Sequence, residues 1–532
     1  VKKLDLTIEL EGFEMRKLLA AFLAASAVAL LVVGLAAATG TTSSKAVPLH
    51  AAAKGTVTIA ITGDPGKLDP EQTAGAGAQQ VAEFSYDTLV HQLPGGKIVS
   101  GLATKWKVLS KTKVTFKLRS GVTCSDGTKL TASTVKKNFD YVANGANASP
   151  LMNLYVPQDS KTVANNKKRT VTVTFPSANP FPVQGLGAVH MVCAKGLANR
   201  NSLTNGADGS GPYKMVSANP GSKYSFTLRK GYKWGPNGST SKGMPAKVVL
   251  QVVTNETTAA NELLTGQVNI ATVVGPDRTR LVQAKLFKRV VAAQPGDIWF
   301  NENKGHPTSN VTVRKGIIKA LQTGQLGKVF TSGDGVPMKQ LTLPSFTPCA
   351  GNSVKGNVPK HNLQAAQQAL SGNPSLKLVY ENDGGPGSPA AAALMQNQLS
   401  AAGDNNVTLE GTTGSNLLGI LFGSGDWDVA IVPLGVSAPA QLVPFLSGAA
   451  PAGGGVNFAH INNVAYGNEV AKALQASGAT ACTHWINAEK QIFRHGDLLP
   501  TWWSTLPTFA KGAKFSLGDQ GIAPASLRIT KK

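Results

Sequence analysis

GLATKWKVLSKTKVTFKLRSGVTCSDGTKLTASTV, residues 101–135, is the stretch whose reading decides the fold. Its segment KWKVLSKTKVTFKLRSG reads as two strands joined at Ser110–Lys113. Val114, Phe116 and Leu118 fall on one face, because strand side chains alternate sides. Thr131 or Ser133 then opens a helix, with Val135, Phe139 and Val142 recurring along one side of it. A hairpin followed by an amphipathic helix is a mixed unit, and the same grammar runs outward from it.

Upstream, PGGK (94–97) is a turn, QQVAEFSYDTLV (79–90) carries a roughly helical apolar stripe, and TVTIAI (56–61) is an alternating, β-branched strand. Downstream, TVTVTF (170–175), KVVLQVVT (247–254) and VNIATVV (268–274) are predicted strands, and TTAANELLTG is a helix closed by Gly266. DIWFNENK starts a new block as a strand. Then come the helix VRKGIIKALQT, the strand LKLVYEN, the helix PAAAALMQNQLSAAG, the strands VTLEGTT and DWDVAIVPLG, and the helix CTHWINAEKQIFRHG before LLPTWW. Strands and helices alternate throughout, so the class is α/β or mixed α+β.

The length of 532 residues exceeds what one core holds, roughly 250–300 residues, so two or more lobes are expected. Hydrophobic residues at 42% exclude global disorder. Charged residues are only 15%, against about 25% in an average domain, so the surface relies on uncharged polar groups, a style common in exported proteins. The formal charge is 52 − 29 = +23. The lysines look scattered along the chain, and the densest cluster is NNKKRT at 165–170. With no basic stripe interleaved with aromatics, a nucleic-acid partner is not expected. A basic exported protein is instead drawn to an anionic cell surface.

Met15-Arg16-Lys17 precedes an apolar run from Leu18 to Ala38, the pattern of a secretory signal. The run is long enough to span a bilayer uncleaved. Cleavage near Ala38 is expected, because Ala, Gly and Thr end the run with no basic stop-transfer cluster. Residues 1–40 therefore read as an over-long start plus signal, and 41–54 as a flexible tether. Cys124, Cys193, Cys349 and Cys482 follow. An even number in an oxidising exterior points to two disulfides, with three pairings open. No C-x-x-C and no His at zinc-ligand spacing accompanies them, so no metal is expected.

Catalytic motifs are scarce. G-x-S-x-G, H-E-x-x-H, the P-loop and G-x-G-x-x-G do not occur. Ser133 and Lys136 form an S-x-x-K of the kind found in serine–lysine acyl hydrolases, but S-D-N and K-T-G are missing. The plainer reading makes Ser133 a helix cap and leaves Lys136 in solvent. Asp426 and Asp428 flank Trp427 and on a strand would share a face. A turn leading into a strand is the preferred reading of the pair.

Residues 101–135 also resemble the extracytoplasmic solute-binding proteins of oligopeptide, dipeptide and nickel type (solute-binding protein family 5), which serve ABC importers. The family's P-x-LA-x-x-W, F-x-LR-x-G-V and DG-x-x-(L/F)-TA-x-D-V are met at Leu102-Ala103, Trp106, Phe116, Leu118-Arg119, Gly121-Val122, Asp126-Gly127, Leu130-Thr131-Ala132 and Val135. Ser100 and Thr134 stand where Pro and Asp are usual. Further stretches are similar in the same order: LDP (68–70), GSGPYKM with LRKGYKWG, DIWFNENKGHPTSNVTVRKGIIKAL, LMQNQLSAAGDNNVTLEG, FGSGDWDVAIVPLG and NNVAYGNEVAKAL. After Val432 the family's peptide binders place an Asp that pairs with the peptide ammonium, and here Ser437 stands in its position. LAAATG stands where a lipobox Cys would be, so a lipid anchor is not supported.

The resemblance implies a two-lobed periplasmic-binding-protein-like fold of the large class. Lobe one would hold 55–290, including a subdomain at 95–185, with 500–532 returning to it, and lobe two would hold 291–499. It implies a monomer without cofactor or metal that closes by a hinge on a small solute, peptide-like or other, and hands it to a membrane permease. The solute expected is neutral or anionic, or a blocked peptide. Candidate ligand-binding residues, by position, are Asp64, Tyr86, Asn301, Trp427, Gly435, Val436 and Ser437. The lobes also imply the pairings Cys124–Cys193 and Cys349–Cys482, since a cross-lobe bridge would lock the hinge. The competing classes are the serine–lysine hydrolase and a surface sensor or adhesion protein that retains the fold.

Overall fold

The computed structural model describes residues 55–530, apart from 74–75, 345–346, 383–386, 454 and 519–520. The expected signal and tether lie outside the described residues.

An eleven-stranded sheet runs through the molecule. From one edge its order is Val407–Thr412, Leu376–Glu381, Val429–Ile431, Phe287–Phe300, Leu498–Ala510, Ile270–Thr272, Thr56–Ile61, Lys247–Val252, Lys223–Leu228 and Tyr213–Asn219, with Gly335–Pro337 paired to Leu498–Ala510 off this path. Thr56–Ile61 lies parallel to Lys247–Val252, and Val57 and Ile59 alternate into the same core as Val248 and Leu250. In the other half, Leu376 and Leu378 face one core while Val379 faces another. A sheet clad by helices on both faces gives its strands this double-sided burial.

Two long strands join the halves. Phe287–Ala292 pairs with Thr505–Ala510 on one side, and Asp297–Trp299 pairs with Leu498–Pro500 on the other. Between them the register shifts twice, at Ala292/Gln294 and Pro295/Asp297. Pro295 has no N–H to give the ladder, so the pairing breaks where the chain passes from one half to the other.

The stretch 101–135 builds a separate four-stranded antiparallel sheet, ordered Ala103–Ser110, Lys113–Leu118, Thr170–Thr174, Lys161–Asn165. Helix Ala132–Ala143 covers it through Val135, Phe139 and Val142, all fully buried. Its cap is Thr131, whose hydroxyl accepts the Thr134 N–H at 3.1 Å. Some of the lysines that look scattered in sequence lie together on the open face of this sheet. Lys105 lies opposite Lys117, and Lys113 and Lys161 both lie opposite Thr174.

Disulfides join Cys124 to Cys193 and Cys349 to Cys482. The first ties the small sheet's helix-bearing unit to the chain leaving it. The second ties a loop to helix Gly478–His495. Neither spans the pair of long strands.

Candidate functional site

A cavity of about 480 Å³ opens between the small-sheet unit and the half of the molecule beyond the long strands. One wall comes from the segments around Asn153–Pro157 and Ala178–Ala188, the other from Leu343, Gly435–Pro444, Leu474 and Trp485. The walls meet at two places. The Phe181 ring packs 6.2 Å from the Trp485 ring, and the Lys111 ammonium donates to the Gln475 side chain.

Local hydrogen bonds hold the polar lining in place. Gln441 Oε1 accepts the Ser437 and Ala438 N–H groups at 3.1 and 2.9 Å, fixing the Gly435–Ala438 loop. That loop also bridges to Thr342 through Val436. Asn179 Oδ1 accepts the Phe181 N–H at 3.1 Å, and Asn153 Oδ1 accepts the Gln158 N–H at 2.8 Å. Asn153 adopts φ 62°, a left-handed conformation that Asn tolerates better than most residues.

Of the sequence candidates, Gly435, Val436 and Ser437 lie on the cavity wall. The other four do not line it, and each has a packing role instead. Asp64 accepts from the Tyr224 hydroxyl at 2.6 Å and from the Gly66 N–H at 2.8 Å, which holds its carboxyl below the usual range. Tyr86 is buried beneath Asp208, whose N–H it accepts at 3.4 Å. Asn301 is buried and donates to the Trp427 and Gly425 carbonyls. Trp427 packs against Phe458 in the core at a centroid distance of 5.9 Å. Tyr86, Asn301 and Trp427 lie in the interior and Asp64 on the surface away from the cavity, and a single sequence does not encode such placement. Phe181, Gln184, Gln441 and Trp485 were not singled out in sequence. The signal for Phe181, Gln184 and Gln441 is an aromatic or amide side chain near prolines, and that for Trp485 is a Trp on a helix; both are weak.

Ser133 and Lys136 do not meet. The Ser133 hydroxyl accepts from Asn166 Nδ2 at 2.8 Å, and Lys136 pairs with Asp140. Asp426 pairs with Lys377, and Asp428 accepts from the Lys377 N–H and faces His306 Nδ1 at 2.9 Å, so this pair fastens a turn. Glu302, His495 and Asp497 converge in the manner of metal ligands, but the Arg314 guanidinium lies among them, 3.1 Å from Glu302 and 3.2 Å from Asp497.

Several carboxyls are buried away from the cavity. Burial pushes Glu71 up to about 8 despite Arg200 at 2.9 Å, and Asp87 up to about 7 beneath Tyr232 and Trp234. Burial likewise pushes Glu489 up to about 7. An acid whose folded value lies above its unfolded one keeps its proton longer when folded. Its contribution is therefore full below the unfolded value and is lost as pH rises through the folded one. Stability is expected to fall from pH 5 to pH 8.5. Glu489→Gln keeps the carbonyl oxygen that accepts from Leu341 N–H and Ser353, and should raise stability at pH 8 by ~3 kcal/mol while leaving pH 4.5 nearly unchanged. Thermal melts across that range check both signs.

Residues 97–452 match the model of the bacterial extracellular solute-binding proteins, family 5 (middle region). The chain is 23% identical over 404 residues to the probable D,D-dipeptide-binding periplasmic protein DdpA of Escherichia coli K12, covering 72% of this chain and 75% of that protein. It is 33% identical over 90 residues to the periplasmic murein peptide-binding protein MppA of the same organism, where the match spans only 17% of each protein. Among solved structures, a substrate binding protein of Microbacterium hydrocarbonoxydans, complexed with 4-hydroxybenzoate hydrazide, superposes with a TM-score of 0.74 at 23% identity over 90% of this chain and all of that one. A dipeptide binding protein of Pseudoalteromonas sp. SM9913, in complex with Met-Leu, gives 0.73 at 17% identity over 89% of this chain and all of that one.

Proposed function

Because the chain belongs to the family 5 bacterial extracellular solute-binding proteins, we propose that it captures a small peptide-like solute in the cavity between its lobes and delivers it to the permease of an ABC importer. One observation carries this reading. The cavity has a wall from each side of the pair of long strands, and these strands lose register where they pass between the sides. In this reading lobe one is 55–290 with the subdomain 95–185 and the return of 500–532, and lobe two is 291–499. The hinge bends at Ala292–Asp297 against Pro500–Thr505. A ligand touching both walls favours the closed form, because only there are both sets of contacts made. The permease then reads the closed form.

Two relatives are named for peptides, and solved neighbours hold a dipeptide in one case and a hydrazide in the other. A peptide-like solute, broadly taken, fits that range. Among the described residues no helix is long and apolar enough to cross a membrane. Export by the Met15–Ala38 segment and a monomeric carrier complete the reading.

Native mass spectrometry of the protein purified from its own host tests it. A small non-covalent adduct is expected. Ser437→Trp, which fills the cavity from a loop, is expected to abolish the adduct at unchanged melting temperature. An adduct retained in Ser437→Trp places the solute elsewhere.

A further inference from the structure

Taking the interlobe cavity as the solute site, as proposed above, we infer that its ligand is an uncharged peptide-like solute, blocked or cyclised at its ends, that meets the polar wall with carbonyl oxygens.

The first ground is charge. None of the described residues lining the cavity is Asp, Glu, Lys, Arg or His. A free peptide brings an ammonium at one end and a carboxylate at the other. Burying either without a partner costs several kcal/mol. Ser437 offers no charge to the ammonium, and the wall offers no cation to the carboxylate. An anionic solute is disfavoured as strongly as a cationic one, although the whole chain carries +23. That excess sits elsewhere, as on the lysine face of the four-stranded sheet.

The second ground is the polarity of the amides. Gln441, Asn179 and Asn153 each turn their carbonyl oxygen to a backbone N–H. Those bonds fix which end of each amide is which. The NH₂ ends of all three have no acceptor among the described residues. The indole N–H of Trp485, another lining residue, is buried and also lacks one. The three amide NH₂ groups are open to water, and a ligand that covers them removes that water. A ligand with several carbonyl oxygens replaces the lost acceptors, and one without them is disfavoured.

The third ground is the rest of the lining. Tyr155, Phe181, Leu343, Val436 and Trp485 give apolar and aromatic surface for side chains. A volume of about 480 Å³ suits a molecule of di- to tripeptide size.

Calorimetry on the full chain, stripped of bound solute, tests the inference with Ala-Phe in four forms: free, N-acetylated, C-amidated and doubly blocked. Cyclo(Ala-Phe) is the fifth probe. The doubly blocked or the cyclic form is expected to bind, and each free end to weaken Kd at least tenfold. Free Ala-Phe binding as tightly as the blocked form overturns the inference, and so does failure of both uncharged forms to bind at millimolar concentration.

Gln441→Glu provides an independent arm. A carboxylate still accepts the Ser437 and Ala438 N–H groups, so the loop keeps its shape, but an NH₂ donor becomes a charged acceptor. Binding of the doubly blocked probe is expected to fall at least tenfold, and binding of the C-amidated, free-amine probe to rise. Asn179→Asp repeats the exchange on the other wall. Unchanged affinities in both variants, at unchanged melting temperature, overturn the donor argument. Ser437→Trp separates the two ideas. If uncharged probes bind Ser437→Trp as well as wild type, the cavity assignment has failed. If Ser437→Trp loses all binding while wild type prefers the free dipeptide, the cavity stands and this ligand chemistry has failed.

Discussion

Arg314→Met is expected to lower the stability of the protein by about 3–5 kcal/mol. Arg314 is 1% exposed, and its guanidinium is held by polar partners. Its Nε donates to the Gly496 carbonyl at 3.0 Å and its Nη1 to the Thr308 carbonyl at 2.9 Å. Its Nη2 donates to Asp497 at 3.2 Å and lies 3.1 Å from Glu302. Burial and the neighbouring Asp497 push the Glu302 carboxyl up, and the Arg314 guanidinium lies against both acids. Removing the guanidinium strands Asp497 with Asn463 and His495 as its partners. It also frees helix Val311–Ala320 from the turn that starts strand Leu498–Ala510. Arg314→Lys is not expected to rescue the loss, since one ammonium cannot reach two carbonyls and a carboxylate in a planar fork. Pairing the change with Asp497→Asn should return part of the loss, because the stranded charge goes too. Urea unfolding followed by tryptophan fluorescence reads all three variants. A loss under 1 kcal/mol would contradict the buried ion pair.

Opening the disulfides is the other large perturbation. The closed loops span 69 residues for Cys124–Cys193 and 133 for Cys349–Cys482. Constraint of the unfolded chain puts each bridge at roughly 4–5 kcal/mol at most. Replacing either pair by Ser is expected to lower the melting temperature by several degrees. Affinity for the solute, measured well below the melt, should not change, because each bridge stays on one side of the long strands. Peptide mapping without reductant verifies the pairings. A bridge joining Cys124 to Cys349 would contradict the whole division into lobes.

What the sequence made legible follows from how strongly local patterns constrain the backbone. TVTIAI and KVVLQV are β-branched runs between turn residues, and they form a parallel pair in the large sheet. The hairpin and helix of 101–135 carry periods of 2 and 3.6 in succession, and both elements form with the expected inward faces. The two long strands were far less visible. FKRVVAAQPGDIWF has Pro295 and Gly296 in its interior, and LLPTWWSTLPTFA contains Pro500 and Pro507. Such residues ordinarily end strands. Only LLPTWW and DIWFNENK drew notice, and DWDVAIVPLG shrank to the three-residue strand Val429–Ile431. The site was legible at Gly435–Ser437 through family resemblance. Gln441 and Asn179 escaped because an amide in a loop has no periodicity, and its role depends on which backbone N–H its oxygen meets. Trp427 and Asn301 misled for the opposite reason. Their types suggest a binding surface, but they lie in the interior, with the Asn301 amide bonded to the carbonyls of Trp427 and Gly425.

Strand Leu498–Ala510 sits at the centre of the large sheet, with Ile270–Thr272 on one flank and Phe287–Phe300 on the other. Its pairing with Ile270 joins positions 510 − 270 = 240 residues apart. The strands on the far side of Phe287–Phe300, from Leu376 to Ile431, are all synthesised before it. A chain that emerges N-terminus first can therefore pair those strands with Phe287–Phe300 while the half begun earlier still lacks its link through Leu498–Ala510. Long-range closure of this kind is slow, and until it happens Ile270–Thr272 keeps an unpaired edge. The half translated first is completed last, and a chain stalled or cut before Leu498 presents that open slot to holding chaperones and proteases.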